Sequence, residues 1–116
     1  MNTHIMSLNP DAFTLIESGT KTVEMRLYDE RRQRILKGDH IIFISTNNDN
    51  DQLRVKVKEL HKYNSFDELY KMFDKIKLGY YGEEIALPSD MNKYYPKEMI
   101  KKYGVVGIEI DLLTEL

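Results

Sequence analysis

The chain has 116 residues, no cysteine and a formal net charge of −2, with 17 Lys and Arg against 19 Asp and Glu. A chain of this length folds as one domain that buries about two thirds of its surface. The absence of cysteine excludes disulfides, thiolate zinc sites and thiol nucleophiles. The small net charge excludes a long-range cationic field, so any contact with nucleic acid must be local.

No basic segment followed by an apolar one opens the chain, and nowhere do about 18 apolar residues run together. We therefore expect a soluble, cytoplasmic protein without a membrane partner. No repeat, low-complexity tract or Pro/Gly/Ser-rich linker divides the sequence, which predicts a single domain over residues 1–116.

The first elements are predicted as a strand, a helix and a second strand. A strand over residues 4–8 precedes a helix over 10–18, which begins with Asn9 as N-cap and Pro10 in the first turn. Apolar and polar residues alternate over 22–28, which predicts a strand with one polar face.

The next segment is predicted as a helix followed by a strand. Asp29 at the N-cap and Gly38 beyond the last turn predict a helix over residues 30–37. The continuous apolar run 41–44 predicts that the strand over 39–45 is buried on both faces and lies at the centre of the sheet.

A hairpin is predicted in the middle of the chain. The polar stretch 47–51 has the composition of a turn. After it, apolar residues alternate with Arg54, Lys56 and Lys58, which predicts a strand with a basic outer face. Leu60 breaks this alternation, so we expect a β-bulge or strand end over 58–61.

The rest of the chain is predicted as two helices and a closing strand. A capping box and an apolar stripe predict a helix over residues 65–76, followed by a loop over 79–88. A short helix over 96–102 leads to a strand over 105–112. Because the strands are too close in sequence for regular βαβ crossovers, the order predicts an α+β fold with a mainly antiparallel, curved or barrel-like sheet.

The densest group of chemistry-bearing residues follows the first helix. Glu24 and Arg26 are two apart on a strand and share a face, with roots about 7 Å apart. Lys21 has the opposite parity and joins them only if Gly19 and Thr20 form a turn before the pleat begins. Together the three suit a polar, partly anionic ligand, with Arg for paired oxygens, Lys as a point charge and Glu for an N–H donor. An exposed, ion-paired strand face fits the same spacing.

The segment resembles the signature of the ASCH domain, a branch of the PUA-like superfamily. The family pattern G-x-K-x-x-E-x-R is matched here by Gly19, Lys21, Glu24 and Arg26. The helix over 10–18, the strand after Gly38-Asp39 and the closing segment 103–110 also agree with the family. This resemblance covers most of the chain and implies a small curved β-barrel with flanking helices. It also implies RNA or a modified nucleotide or nucleoside as ligand, bound in a cleft lined by the motif.

A second implication of the resemblance is catalytic. Some small ASCH proteins are N(4)-acetylcytidine amidohydrolases that use a Lys, a Thr and a Glu. Lys21 matches the family lysine, but Glu24 stands where the family has its threonine, and no residue beyond the helix of 65–76 matches the family glutamate. Hydrolysis here would require Lys21 or Glu24 to activate water, with a lowered pKa for Lys21 or a raised pKa for Glu24.

Three functions therefore remain open. The leading interpretation is a module that binds RNA or a modified nucleotide through Lys21, Glu24 and Arg26, with Tyr28 at the rim. The alternatives are the amidohydrolase, with Lys21 and Glu24 as catalytic residues, and a protein-interaction module that uses an apolar surface patch. We expect no cofactor, no metal, and a monomer or weak homodimer.

Other residues carry weaker indications. Basic residues cluster over 21–37 and 54–62, and could contact phosphates if both groups share a face or could simply be solvated. Four tyrosines either form a flap that stacks on a base or pack over the end of the barrel. They are Tyr80, Tyr81, Tyr94 and Tyr95. The three histidines lack the spacing of metal ligands.

Overall fold

Five strands form one curled sheet in the order β1-β3-β4-β5-β2. The computed structural model describes residues 1–113, so residues 114–116 of the predicted domain lie outside the described part. The strands are β1 (Thr3–Leu8), β2 (Val23–Leu27), β3 (His40–Ser45), β4 (Asn48–Tyr63) and β5 (Val105–Leu112). β1 pairs in parallel with β3, and the other three pairings are antiparallel. This half-barrel with flanking helices confirms the predicted α+β fold and its curved, mainly antiparallel sheet.

Helical segments connect the strands. They are α1 (Pro10–Glu17), α2 (Phe66–Tyr70), α3 (Lys75–Leu78) and α4 (Lys97–Tyr103), with 3-10 turns at Arg32–Arg34 and Pro88–Lys93. The Asn9 side chain accepts a hydrogen bond from the Ala12 amide, which confirms the predicted N-cap of α1. No helix in the described part of the chain is long and apolar enough to cross a membrane.

Two apolar clusters cover the two faces of the sheet. The inner cluster comprises Met6, Leu8, Phe13, Ile16, Ile35, Ile41, Phe43, Val55, Val57, Val106, Ile108 and Ile110. The outer cluster comprises Val23, Met25, Phe66, Leu69, Leu78, Met91 and Val105. We call the two faces of the sheet inner and outer accordingly. The strand alternation in the sequence thus sorts side chains to the two faces.

The prediction of a helix over residues 30–37 is wrong. Only the 3-10 turn Arg32–Arg34 forms there, although the Asp29 carboxylate does accept a hydrogen bond from the Arg32 amide as the cap prediction required. Ile35 turns to extended backbone, which buries its side chain in the inner cluster and leaves Leu36 60% exposed. A continued helix lacks an apolar face to bury, so the packing of Ile35 ends it.

The central position and two-sided burial predicted for the strand over 39–45 are also wrong. The sheet order places β4 at the centre. Of the apolar run 41–44, only Ile41 and Phe43 are buried, because the helices pack over the other half of the outer face. The hairpin turn is shorter than the predicted 47–51, since β4 begins at Asn48. The bulge predicted over 58–61 is confirmed by a register shift between Val57 and Glu59.

The predicted helix over residues 65–76 divides into α2 and α3. Ser65 caps α2 through its hydroxyl, which accepts from the Glu68 amide, so the predicted start is correct. Beyond α2, Ile76 is 47% exposed and Leu78 is buried in the outer cluster instead. A straight helix would place Ile76 against the sheet. The break between α2 and α3 places Leu78 there instead.

A buried carboxylate ties the N-terminus to the loop before β3. The Asp39 carboxylate accepts hydrogen bonds from the Asn2 amide at 3.1 Å, the Leu36 amide at 3.0 Å and His4 Nε2 at 2.8 Å. Burial opposes its charge, but these donors outweigh burial and lower the pKa of Asp39 from 3.8 to about 2. Asp39 therefore favours the folded state only while it is ionised.

We expect Asp39→Asn to lower the free energy of unfolding by about 1 to 3 kcal/mol, because the amide cannot accept from all three donors. Since the folded-state pKa lies below the ordinary value, the contribution of Asp39 is complete above about pH 4 and is lost as the pH falls towards 2. Urea unfolding between pH 2 and 7 measures both effects. The exposed Asp49→Asn is the control, and equal losses in the two variants would contradict the assignment.

Candidate functional site

The backbone after α1 brings Lys21 to the polar face of β2. Gly19 adopts a positive φ of 82°, and the amides of Thr20 and Lys21 both donate to the Leu15 carbonyl. β2 begins only at Val23, so the turn ends before the pleat starts. The condition under which Lys21 can join Glu24 and Arg26 is therefore met.

Lys21, Glu24 and Arg26 form a connected ion triad. Lys21 Nζ lies 3.2 Å from Glu24 Oε1, while Arg26 Nε donates to Glu24 Oε2 at 2.8 Å and Arg26 Nη2 lies 2.7 Å from the same oxygen. The side chains are only 7%, 8% and 13% exposed, respectively. The alternative of an exposed ion-paired strand face is therefore wrong, because this triad is buried.

Burial and neighbouring charges shift the pKa values of Glu24 and Arg26 in opposite directions. Burial alone would raise the pKa of the Glu24 carboxyl, but Lys21 and Arg26 outweigh it and hold that pKa below its usual range. Burial likewise opposes the charge of Arg26, yet Glu24 outweighs it and raises the pKa of the guanidinium. Glu24 is thus an ionised hydrogen-bond acceptor at neutral pH.

Arg26 also spans the opening of the half-barrel. Glu24 and Arg26 lie opposite Ile108 and Val106 on β5, which places both on the inner face. Arg26 Nη2 donates to the Ser7 carbonyl of β1 at 2.7 Å, although β1 and β2 are the two edges of the sheet. The sheet therefore curls around the inner cluster, and one guanidinium bridges its two edges.

The α3 segment completes the surroundings of Lys21. Lys21 Nζ donates to the Leu78 carbonyl at 2.7 Å, across 57 residues of sequence. Gly79 has a φ of 108° and leaves space for the lysine, since a Cβ there would meet Lys21 Cδ at 3.1 Å. Sequence reasoning missed both positions, because the only local signal is a glycine at a helix end.

Two further side chains share the inner face with Arg26, and a third lies close enough to interact with its charge. Tyr28 is half-buried against the inner cluster, with Lys62 Nζ 5.2 Å from its ring centroid. Lys62 on β4 lies opposite Val106 on β5, and Val106 lies opposite Arg26 on β2. Lys62 and Arg26 therefore share the inner face. Burial raises the pKa of Tyr95, with Arg26 acting in the opposite direction, which places this phenol beside the guanidinium as well.

The structure separates the predicted basic groups. Arg54 and Lys56 alternate with the inner-cluster residue Val55 and therefore lie on the outer face, whereas Lys62 follows the bulge and lies on the inner face. The segment 54–62 thus does not present one continuous basic face. The arginines of the 31–34 segment lie beside β1 instead.

The four tyrosines divide between packing and exposure. Tyr80 hydrogen-bonds Tyr70 and Asp90 at 2.7 Å each, and Tyr95 stacks on Phe66 with a centroid separation of 6.1 Å. Tyr81 and Tyr94 are more than half exposed. Within residues 1–113 they do not form one continuous stacking surface.

The histidines are held in separate places. His4 pairs with Asp39, His40 with Arg54 and His61 with Glu109. No group of three or more His, Cys, Asp or Glu in residues 1–113 has the arrangement of a metal site. Each histidine thus has a polar partner of its own.

We expect Glu24→Gln to lower the free energy of unfolding by about 3 to 5 kcal/mol, because it leaves two buried cations without a counter-charge. Lys21→Met combined with Glu24→Gln should cost less than the sum of the single changes, since Lys21 and Glu24 share one interaction. Urea unfolding of the four chains measures this coupling. Glu59→Gln, in the exposed pair with Lys37, is the control and should have a small effect. Additive losses from Lys21→Met and Glu24→Gln would contradict the triad.

Solved structures with this fold are known. Hypothetical protein PH0355 shares 33% identity over 97% of this chain and 100% of that chain, with a TM-score of 0.79. Protein PF0455 from Pyrococcus furiosus shares 32% identity over 97% and 99% of the two chains, with a TM-score of 0.67. No curated protein matches the chain significantly.

A more distant structure carries the family name. ASCH from Zymomonas mobilis superposes with a TM-score of 0.63 at 16% identity, over 95% of this chain and 67% of that chain, which shows a shared fold. The family model of the ASCH domain matches residues 6–114, a range that contains the whole Lys21–Glu24–Arg26 triad. This chain therefore belongs to the ASCH domain family, whose fold is PUA-like.

Proposed function

We propose that this chain binds RNA or a modified nucleotide or nucleoside at the opening of the half-barrel, with Arg26 as the contact residue. The observation that supports this most is the position of Arg26, held by Glu24 and by the Ser7 carbonyl at the junction of β1 and β2. It is also the most exposed member of the triad. A guanidinium already fixed in place loses little conformational entropy when it binds phosphate or base oxygens.

Glu24 and Lys21 act as positioning residues in this proposal. Both Glu24 oxygens are engaged, one by Lys21 and the other by Arg26, so the carboxylate orients the guanidinium rather than reading a base edge. Lys21 adds positive charge and anchors the triad to the Leu78 carbonyl. Because Lys21 is buried, we expect Lys21→Ala to cost stability as well as binding.

The rim of the opening supports recognition of a base. Tyr28 offers a half-buried ring against the inner cluster, on the face that carries Arg26, and Lys62 adds a cation over that ring. Aromatic faces stack on bases with little sequence preference, and nearby cations attract phosphates. This mixture suits a nucleotide better than a purely apolar or a purely anionic ligand.

Binding is better supported than hydrolysis of N(4)-acetylcytidine-like nucleosides. The hydrolytic alternative with Glu24 as the residue that activates water requires a raised pKa, whereas Lys21 and Arg26 lower it. Lys21 Nζ is engaged by the Leu78 carbonyl and lies 3.2 Å from the Glu24 carboxylate, so both of its contacts are structural. No observation on the described residues specifically favours turnover.

We expect Arg26→Lys to weaken binding at least tenfold, because it keeps the charge but removes the planar fork that pairs with two oxygens. Tyr28→Leu should weaken binding by a similar factor through loss of the stacking ring. Fluorescence anisotropy with a labelled single-stranded RNA and NMR titration with cytidine and N(4)-acetylcytidine measure the effect. Lys71→Gln, at the exposed C-terminal end of α2, is the control for the effect of losing one surface positive charge.

The same experiment separates the other functions. Product formation from N(4)-acetylcytidine that is lost in Lys21→Ala would make the protein a hydrolase and contradict a role limited to binding. Unchanged affinity in both Arg26→Lys and Tyr28→Leu would place the contact elsewhere. Failure of every nucleoside and RNA to bind would favour a protein-interaction module, for which exposed Ile76, Tyr81, Ile85 and Leu87 provide apolar surface.

A further inference from the structure

A small basic cavity lies beside the free edge of β1. It has a volume of about 100 Å³ and is lined by residues 4–6 of β1 together with Arg31, Arg32, Arg34 and Ile35. This lining contains three guanidiniums and no carboxylate. The volume admits several water molecules and therefore a phosphate group.

Two of the arginines are fixed by the fold. Arg31 Nη2 donates to the Ile5 carbonyl at 3.2 Å, and Arg32 Nη1 donates to the Asp29 carboxylate at 2.9 Å. Arg31 is thus held by a residue of the lining itself, and Arg32 by a carboxylate outside it. Arg34 is exposed and adds a third guanidinium to the lining.

Arg32 has an unsatisfied donor. Its Nε is fully buried and has no hydrogen-bond partner among residues 1–113. Buried N–H groups without a partner are rare and cost about 1 to 3 kcal/mol, more when the group is charged. A phosphate oxygen is a strong acceptor for a charged donor of this kind, and Arg32 is one of the residues that line the cavity.

The neighbouring carboxylates have partners of their own. Asp29 is paired with Arg32, Glu30 accepts from the Tyr103 hydroxyl at 3.0 Å, and Asp39 accepts from His4 and two amides. The three guanidiniums are thus balanced by three nearby carboxylates, so no long-range attraction of anions is expected. An incoming anion finds instead arginine donors that the fold already holds in position.

The arginine cavity and the opening of the half-barrel both lie along the free edge of β1. Arg26 donates to the Ser7 carbonyl and Arg31 to the Ile5 carbonyl, two residues apart on the same edge of β1. Carbonyls two residues apart on a strand lie about 7 Å from each other and point the same way. The two guanidiniums thus stand side by side along β1.

We propose that this cavity binds a phosphate group of the ligand, with Arg31, Arg32 and Arg34 as its contacts. The inference rests on the proposed nucleotide-binding function and makes it more specific, since the preferred ligand is then a phosphorylated nucleotide or an RNA strand. A base or sugar lies at Arg26 and Tyr28, and the adjoining phosphate lies at the arginine cavity.

The test uses the 116-residue chain labelled with ¹⁵N, whose arginine Nε–Hε signals are followed by NMR. The probes are inorganic phosphate, cytidine, cytidine 5′-monophosphate and a short single-stranded RNA. We expect phosphate alone to shift the Arg32 Nε signal, and the monophosphate to bind at least tenfold more tightly than cytidine. Comparing the RNA with the monophosphate shows whether the cavity accepts a backbone phosphate or only a terminal one.

Two variants and a control localise the effect. Arg34→Gln should remove most of the advantage of the monophosphate over cytidine, and lower the salt dependence of RNA binding by about one counterion. Arg32→Lys keeps the charge opposite Asp29 but removes Nε, and should act in the same direction. Lys71→Gln removes one positive charge, as Arg34→Gln does, but at the C-terminal end of α2. It should leave the ratio of monophosphate to cytidine affinity unchanged.

The outcomes separate this inference from the proposed function. Equal affinity for cytidine and its monophosphate, with cytidine binding lost in Arg26→Lys, would overturn the phosphate site and leave the nucleoside site standing. Phosphate binding at Arg32 without any nucleoside binding would overturn the nucleoside site and leave the phosphate site standing. Equal losses in Arg34→Gln and Lys71→Gln would overturn the phosphate site as an effect of general charge. Absence of binding by every probe would overturn both.

Discussion

The Glu24 carboxylate is the constraint on which the opening of this half-barrel depends. A buried carboxylate remains ionised only if cations and donors replace its water. Lys21 and Arg26 supply both, and each also donates a hydrogen bond to a distant part of the chain. Lys21 reaches the carbonyl at the end of α3, and Arg26 reaches the opposite edge strand β1. One acidic side chain thus links the turn after α1, α3 and both edges of the sheet.

This arrangement combines structural and binding roles in the same residues. Because Glu24 orients Arg26 before any ligand arrives, the guanidinium can contact a ligand with little reorganisation. The same pairing lowers the pKa of Glu24 and weakens it as a proton acceptor. The geometry therefore favours recognition over acid–base chemistry. It also means that substitutions in the triad change stability and binding together, so conservative variants such as Arg26→Lys are the more informative ones.

Positive charge is distributed locally in a protein whose net charge is −2. Arg26 and Arg31 both use carbonyls on the free edge of β1, which satisfies backbone groups that an edge strand leaves unpaired. This edge is therefore protected from pairing with another strand and at the same time carries the guanidiniums. A ligand held there is recognised at short range rather than by attraction from a distance.

The sequence by itself determined the local features. Asn9 and Ser65 cap their helices as expected, the alternation over 22–28 sorts β2 onto two faces, and the motif spacing places Glu24 beside Arg26. These features depend on backbone dihedrals and on side-chain periodicity within a few residues.

Only the tertiary structure decided which distant groups meet the motif. The Leu78 carbonyl, the Ser7 carbonyl and the unpaired Arg32 donor have no signal in the local pattern, because their positions follow from how the sheet curls and how the loops pack. The same packing shortened the helix predicted over 30–37, where burying Ile35 prevailed over helical propensity. Sequence spacing thus selected the residues of the candidate site, and long-range packing determined their burial, their partners and the cavity beside them.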